Sequence, residues 1–428
     1  MPPIPAIDAT LTLDAAAARG WDVVIIGAGP AGGSAALRLA RLGLEVLLVD
    51  RGTMPRGKLC GCCLSPAALA ELRELGLRSL LERAVPLERI RLAAGGREAA
   101  IDVQDGATLS RESLDTALVA EAIAAGCHWL PQTTAEAIEE TVNRSEPLAS
   151  VSVRTAEPSP LAGSPERERR DGDDHGTTRL TCSRVLIATG LGDHVRVAAD
   201  GTRRMSPRLV AARSRIGIGA VLPADAVHLP AGELLMAVAR AGYCGVVRLE
   251  DGRIDVAAAV DRRSLAAVAP AAALGRIVAE STGDHDVASL VDALEATTIR
   301  ATPALTRSAP LVEGVGTMFR IGDAAGYVEP FTGEGMGWGL AAGRLVATAI
   351  HDARTGGLAP AVVAAGRYKE WHARHFGSRH ARCRRVAAGL RMPALVGLAV
   401  RGARLAPWAA RLVVPIVTGS QRPLEVAS

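Results

Sequence analysis

The segment Gly27-Ala28-Gly29-Pro30-Ala31-Gly32 has the residue types and spacing of a turn that binds phosphate. Gly27 permits a tight turn, Gly29 lets the backbone approach a pyrophosphate, and Gly32 allows a helix to pack closely on a sheet. The helix that begins in this segment offers free N–H groups and the positive end of its dipole to the phosphates. We therefore predict that Gly27, Gly29, Pro30, Ala31 and Gly32 bind a dinucleotide.

An acidic residue completes this pattern. Asp50 lies eighteen residues after Gly32, at the end of a second β-type run, where its carboxylate is expected to accept hydrogen bonds from an adenosine ribose. The β-run before the glycines, the helical run after them and the acid at this distance together predict one βαβ dinucleotide-binding unit. The basic residues Arg51, Arg56 and Lys58 follow it and are further candidates for cofactor binding.

A second glycine-rich segment runs from Arg320 to Gly337, again after a strand-like run and before a helical one. Asp323, at the strand end, is placed to bind a ribityl hydroxyl of a flavin. The amides around Gly333 to Gly337 are placed to face the pyrimidine edge of an isoalloxazine, where negative charge develops on reduction. The candidate residues of this segment are Gly322, Asp323, Pro330, Gly333, Gly335 and Met336.

These two elements, in this order and at this separation, resemble the flavoprotein superfamily that includes p-hydroxybenzoate hydroxylase, the flavin-dependent halogenases and the geranylgeranyl reductases. Leu109–Asp115 is similar to the family segment whose arginine reaches the FAD, which makes Arg111 a candidate. Leu186–Gly190 looks like the strand and turn on the adenine side. Pro55–Gly61, with the following Leu64-Ser65-Pro66, resembles the geranylgeranyl reductase branch more narrowly. The resemblance covers about residues 20 to 350.

The resemblance implies FAD as cofactor, NAD(P)H as a possible transient reductant, and Cys60 and Tyr243 as candidate catalytic residues. Gly242–Arg248 matches an aromatic-rich family strand, but only Tyr243 remains of its Tyr-x-Trp-x-Phe-Pro pattern. Two activities stay open: reduction of C=C bonds in a lipophilic, isoprenoid-like substrate, and monooxygenation or halogenation of an aromatic or polyketide substrate. A flavin-binding or membrane-docking protein without enzyme activity is a third interpretation.

Three cysteines lie close together, at Cys60, Cys62 and Cys63. They are interpreted either as small packing residues or as thiols that face the flavin, in which case Arg56 and Lys58 would lower the pKa of Cys60. A metal site is the third alternative, but a fourth ligand at useful spacing is missing, so no metal ligands are predicted.

The chain of 428 residues is long enough for two or three domains. The predicted fold class is α/β, with a Rossmann-type FAD-binding domain, an inserted α+β substrate domain containing an antiparallel sheet, and C-terminal helices. We assign residues 20–80, 105–200 and 308–352 to the FAD-binding domain, 81–104 and 205–307 to the substrate domain, and 353–428 to a C-terminal helical region. The polar segment Glu157–Thr178 is predicted to be a solvated loop or hairpin tip.

Composition excludes several classes of partner. The formal charge of +4 is small, and no segment combines basic with stacking aromatic residues, so no nucleic acid is expected. The seven cysteines lack the pattern of a disulfide framework, and the N-terminus does not resemble a signal peptide. Both observations favour a cytoplasmic protein. Met392–Val417 is apolar but carries arginines and prolines, which predicts amphipathic helices rather than a membrane span. These helices pack on the protein's own core, or they contact a membrane or a lipophilic substrate.

Overall fold

The computed structural model describes residues 3–142, 147–155, 177–192, 195–198, 208–283, 287–329, 331, 333–354 and 360–406. Pro330, nearly all of the predicted loop Glu157–Thr178 and the end of the C-terminal region therefore lie outside the described residues. The helices are α1 (Leu13–Ala17), α2 (Pro30–Arg41), α3 (Pro66–Glu74), α4 (Arg78–Leu81), α5 (Arg111–Ala124), α6 (Arg262–Ala267), α7 (Pro270–Thr282), α8 (Ala288–Glu295), α9 (Gly335–Arg354), α10 (Pro360–Gly389) and α11 (Pro393–Leu405).

The first sheet has the parallel centre of a dinucleotide-binding fold. Its strands are β1 (Gly20–Ile26), β2 (Val46–Val49), β6 (His128–Leu130), β7 (Thr133–Val142), β8 (Pro147–Thr155), β9 (Thr178–Ile187), β10 (Arg196–Ala198), β18 (Val312–Glu313) and β19 (Met318–Arg320). The strands β6, β2, β1, β9 and β19 are parallel neighbours in this order. Their carboxyl ends therefore meet at one edge, where ligands of such sheets bind.

The second sheet is largely antiparallel. Its strands are β3 (Cys63–Leu64), β4 (Val85–Ala94), β5 (Arg97–Thr108), β12 (Ile216–Leu222), β13 (Glu233–Ala239), β14 (Gly242–Arg248), β15 (Ile254–Val260) and β16 (Arg300–Ala304), in the order β16-β12-β15-β14-β13-β4-β5-β3. A third, small sheet contains β11 (Leu209–Val210), β17 (Arg307–Ser308) and β20 (Gly326–Tyr327).

Alternation along the strands of the second sheet separates its two faces. Leu235, Ala237, Cys244 and Val246 pack in the same apolar cluster as residues of α7. The intervening side chains pack on the other face, together with residues of α11 such as Val396 and Val400. This second face borders the candidate site described below.

Helix α9 packs on α2 through glycines. A Cβ at Gly343 would lie 2.8 Å from the backbone oxygen of Ala31, so the close approach of the two helices needs glycine there. Helix α10 packs on α9, and α11 lies against β4 and β5. Among the described residues, no single helix is long and apolar enough to cross a membrane.

The sequence predicted the main elements and the fold class correctly. In the Leu64-Ser65-Pro66 segment, the Ser65 hydroxyl accepts a hydrogen bond from the Ala68 amide and Pro66 is the first residue of α3. Arg111 is the first residue of α5, and the antiparallel sheet predicted for the substrate domain contains β12 to β15. The domain boundaries remain a prediction; strands 63–64, 85–94 and 97–108 all pair in the second sheet.

Candidate active site

The glycine turn between β1 and α2 has the close contacts that the sequence predicts. Gly27 has φ +107°, and a Cβ there would lie 2.4 Å from the backbone oxygen of Ala188. A Cβ at Gly32 would lie 1.8 Å from the oxygen of Gly27. Gly29 is the N-cap of α2 and Pro30 is its first residue. The turn therefore presents the N-terminus of α2 to a neighbouring group at the carboxyl edge of the first sheet.

Asp50 is buried, and its carboxylate has partners within the protein. It accepts hydrogen bonds from the amides of Ala28 and Gly52 at 2.7 and 2.9 Å, and it forms an ion pair with both terminal nitrogens of Arg56. Burial raises the pKa of Asp50, but the positive charge and hydrogen bonds of Arg56 outweigh it and hold this pKa below its usual value. Asp50 thus fixes the glycine turn and Arg56, a role beyond the expected contact with a ribose.

A cavity of about 2060 Å³ begins at this turn and extends to the second sheet. Most of the predicted residues line it together: Gly29, Pro30, Ala31, Arg51, Lys58, Cys60, Arg111, Tyr243, Gly322, Asp323, Gly333, Gly335 and Met336. The candidates that lie behind this lining are Gly27, Gly32, Asp50 and Arg56, which shape or support the turn. The two glycine-rich segments are therefore brought to one cavity, although about 290 residues separate them in the sequence.

The end of the cavity near the glycine turn is positively charged. Arg111 is buried and pairs with Asp115 through two hydrogen bonds of 2.9 and 2.6 Å. Burial, followed by the charges of Arg111 and Arg56, lowers the pKa of Lys58. Asp323 lies in a short 3₁₀ helix, and burial raises its pKa to about 6 against the opposing charges of Lys58 and Arg111. This concentration of cations beside a helix N-terminus suits an anionic ligand.

The cysteine cluster forms a connected group at the cavity wall. A hydrogen bond with Cys62 lowers the pKa of Cys60; burial opposes this, and the charge of Arg111 adds to it. The pKa of Cys62 is raised well above its usual value by the same hydrogen bond and by burial. Asp255, on β15, is hydrogen-bonded to Cys62 and is itself buried, which raises its pKa. Cys60 therefore borders the cavity with a lowered pKa, which favours its thiolate form there.

Tyr243 forms part of the cavity wall on β14. Its ring packs edge-on against Phe331 with centroids 5.2 Å apart, and the guanidinium of Arg215 lies 5.4 Å from its centroid. The Tyr243 hydroxyl is buried and has no hydrogen-bond partner among the described residues. Burial raises the pKa of Tyr243 well above its usual value, so the phenol stays neutral.

Sequence reasoning missed the far wall of the cavity. Residues of α11 and of the preceding turn, including Leu390, Val396 and Ala403, line it opposite Ile90 and Leu92 of β4. The amphipathic pattern of Met392–Val417 indicated a helix with an apolar face, but its partner depends on the tertiary packing. Asp255 was also missed, because a single carboxylate in a β-run carries no local signal of its contact with Cys62.

The cavity fits FAD by its own features. It has a glycine cradle that side chains would fill, a cationic end for the pyrophosphate, and length beyond it for a ring system. Lys58 and Arg111 line it, and the charges of Arg111 and Arg56 lower the pKa of Lys58, so an anion would relieve this repulsion.

Comparisons with known proteins agree with this geometry. Residues 20–159 match the model of the FAD binding domain family. Menaquinone reductase from Mycobacterium tuberculosis is 29% identical over 361 residues, which cover 80% of this chain and 79% of that protein. Digeranylgeranylglycerophospholipid reductase 2 from Methanothermobacter thermautotrophicus is 26% identical over 348 residues, covering 79% and 80% of the two chains. The structure of the myxobacterial chondrochloren halogenase superimposes with a TM-score of 0.68 at 18% identity, covering 94% of this chain and 93% of that one.

The chain is an FAD-dependent oxidoreductase. The resemblance to the superfamily of p-hydroxybenzoate hydroxylase and the geranylgeranyl reductases is confirmed. Because the halogenase is less than a quarter identical in sequence, that comparison concerns the fold alone. The comparisons establish FAD as cofactor of the oxidoreductase, and they leave its reaction and its electron donor to be inferred from the site.

Proposed function

We propose that this oxidoreductase reduces C=C bonds in a lipophilic, isoprenoid-like substrate. The observation that carries the proposal is the apolar part of the cavity, bounded by β4 and β13 on one side and by α11 on the other. Leu87, Ile90, Leu92, Leu234 and Met236 supply the sheet side of this space. A hydrocarbon chain is the ligand that such walls favour. The two relatives whose names describe reductases of lipid-like molecules support this choice.

In this proposal FAD lies along the edge formed by the two glycine-rich segments. Gly29, Pro30 and Ala31 face its pyrophosphate, with Arg51, Lys58 and Arg111 as cations around it. Gly322 and Asp323 face the ribityl chain, and Gly333, Gly335 and Met336 face the ring. Pro330, a further candidate, lies outside the described residues. FAD bound here in its reduced form would supply the hydride for one carbon of a C=C bond, and NAD(P)H is the proposed donor that would return the oxidised flavin to the reduced form.

The second carbon needs a proton, and we assign its delivery to Cys60. Since Cys62 stays protonated and is hydrogen-bonded to Cys60, the two sulfurs hold one proton beside the cavity at neutral pH. This shared proton moves from Cys62 along their hydrogen bond to Cys60, the sulfur that borders the cavity, and Cys60 passes it to the carbon; the pair is then without a proton until water entering the cavity supplies one. Asp255 stabilises the Cys62 side of this pair. Tyr243 remains a candidate that orients the substrate against the wall of β14.

The alternative activity is monooxygenation or halogenation of an aromatic or polyketide substrate. A halogenase has the same fold over 94% of the chain, so the fold permits this activity without selecting it. The two activities differ in their use of oxygen. Both halogenation and hydroxylation consume O₂, whereas C=C reduction proceeds without it.

Oxygen use therefore tests the proposal. Purified holoprotein is mixed with NADPH and geranylgeraniol, and O₂ uptake and the product mass are followed with and without air. We expect an anaerobic product that has gained one H₂ per reduced C=C bond, with no extra O₂ uptake in air. Substrate-dependent O₂ uptake with an oxygenated or halogenated product would refute the reductase assignment. Dithionite in place of NADPH separates a wrong electron donor from a wrong reaction.

We also propose a peripheral contact of α11 with a membrane. Leu398 and Leu405 are 66% and 87% exposed on the outer side of this helix, next to Arg401 and Arg404. Exposed apolar side chains beside arginines are typical of helices that lie in a lipid interface. Such a contact would place the apolar part of the cavity close to a lipid substrate.

A further inference from the structure

A second pocket lies beside the cavity, on the other side of the first turns of α11. It has a volume of about 770 Å³. Three arginines from different elements line it: Arg97 at the start of β5, Arg240 in the turn between β13 and β14, and Arg401 on α11. Packing of α11 on the second sheet therefore collects three positive charges that are more than 140 residues apart in the sequence.

None of these three guanidinium groups is paired with a carboxylate of the described residues. Glu280 is the one acidic residue in the lining, so the pocket carries an excess of positive charge. Other arginines of the second sheet and the C-terminal region are paired, as Arg91 is with Glu233 and Arg391 is with Asp261. Guanidinium groups bind phosphate through paired N–H donors, and their planar shape suits its oxygens.

The floor of this pocket is apolar and is continuous with the large cavity. Leu390 and Val396 line both spaces, so only the start of α11 separates the arginines from the apolar wall. A ligand held here can carry a charged group among the arginines and a hydrocarbon chain along α11. A fully charged molecule would match only the arginines, and a fully apolar molecule would match only the apolar floor.

We propose that Arg97, Arg240 and Arg401 bind the phosphate of a phosphate-bearing amphiphile whose chain lies along α11. The proposal rests on the proposed function for its choice of an isoprenoid-like chain, while the phosphate site follows from the pocket itself. The phosphate fixes the amphiphile at one end and so limits which part of its chain reaches the cavity. The pocket is then a specificity site for the head group.

Binding of farnesyl monophosphate and of farnesol to the holoprotein, measured by equilibrium dialysis, tests this site without turnover. The two probes have the same chain and differ in the phosphate. The test variant combines Arg97→Gln, Arg240→Gln and Arg401→Gln. The control combines Arg73→Gln, Arg78→Gln and Arg83→Gln, which removes the same charge from exposed positions outside the pocket, on α3, on α4 and just after α4.

We expect farnesyl monophosphate to bind wild type at least about tenfold more tightly than farnesol, because charge-assisted hydrogen bonds add to the contact of the chain. This preference is lost in the test variant and retained in the control, with FAD content and melting temperature unchanged. Vesicles of phosphatidylcholine with phosphatidylglycerol form a second arm. If only vesicle binding depends on the three arginines, they act in the membrane contact of α11 and the proposed site for an amphiphile is refuted.

The proposal would be overturned if the test variant bound farnesyl monophosphate and the vesicles as tightly as wild type does. A dependence on the arginines without any C=C reduction would refute the proposed function and leave the phosphate site intact. If both variants reduce geranylgeraniol at the same rate and their binding of farnesyl monophosphate is unchanged, the phosphate site is refuted and the proposed function stands.

Discussion

Replacing Gly29 by Asp places a carboxylate where the site is expected to hold a pyrophosphate. Gly29 is the N-cap of α2 with φ −84°, a conformation that any residue adopts, and Asp is a favoured N-cap. A Cβ at this position meets only the terminal nitrogen of Arg111, at 3.4 Å. The backbone and the packing therefore tolerate the substitution, and the protein should fold.

The effect on FAD is electrostatic. Two unit charges about 4 Å apart repel by about 4 kcal/mol at an effective dielectric constant of about 20. A new ion pair with Arg111 would return about 1 kcal/mol, because Arg111 is already paired with Asp115. The net penalty of about 3 kcal/mol weakens FAD binding by roughly a hundredfold or more. Gly29→Asn has nearly the same shape without the charge and should bind FAD far more tightly than Gly29→Asp.

The assay titrates FAD into the apoprotein of wild type and both variants, with flavin absorbance per protein after gel filtration as a second measurement. Circular dichroism and melting temperature check that each variant is folded. Full FAD occupancy in Gly29→Asp would show that the pyrophosphate does not lie at the start of α2. Equal losses in Gly29→Asp and Gly29→Asn would show that size, not charge, decides the outcome.

Further predictions concern the cavity and the C-terminal helices. Asp323→Ala should weaken FAD retention about tenfold through loss of a ribityl contact; dialysis measures this, and unchanged FAD content would contradict it. Cys60 should be alkylated at a lower pH than an ordinary thiol, and faster in apoprotein than in holoprotein because FAD shields it. Cys60→Ser should lower turnover without loss of FAD. Unchanged turnover in this variant would reject the catalytic role of Cys60. Burial lowers the pKa of His380 from its ordinary value of 6.5 to about 4. The unfolded chain then binds more protons between these values, so stability is lost as pH falls from about 6.5 toward 4. Since burial lowers the pKa of His372 and His375 in the same way, His380→Phe should reduce, and not abolish, the fall in melting temperature across that range; identical pH profiles would refute this.

Much of the cofactor site was predictable from the sequence because its determinants are local. The glycine turn at Gly27 to Gly32 needs particular backbone conformations and a close approach of helix to strand, and only glycine permits both. Helix α5 likewise has a local signal in its N-cap Ser110, whose hydroxyl accepts a hydrogen bond from the Ser113 amide. Asp323 and its glycine neighbours follow a strand and precede a helix in the same way. Each of these signals lies within about twenty residues of the chain.

Other features depend on contacts between distant segments, which no local pattern encodes. The pairing of Asp50 with Arg56, rather than with a ligand alone, follows from how the loop after β2 folds back on the glycine turn. The thiol of Cys62 meets Asp255 only because β15 packs beneath the loop that carries it.

The sequence by itself determined that two glycine-rich segments and a dinucleotide fold are present, since backbone geometry restricts residue type over short distances. It also determined the apolar face of the C-terminal helix. The tertiary structure alone decided that this face closes a cavity against β4 and β5, and that Arg97, Arg240 and Arg401 surround a second pocket beside it. The physical reason is that an apolar face in the sequence indicates burial against some other element. Which element covers it depends on the packing of the whole chain.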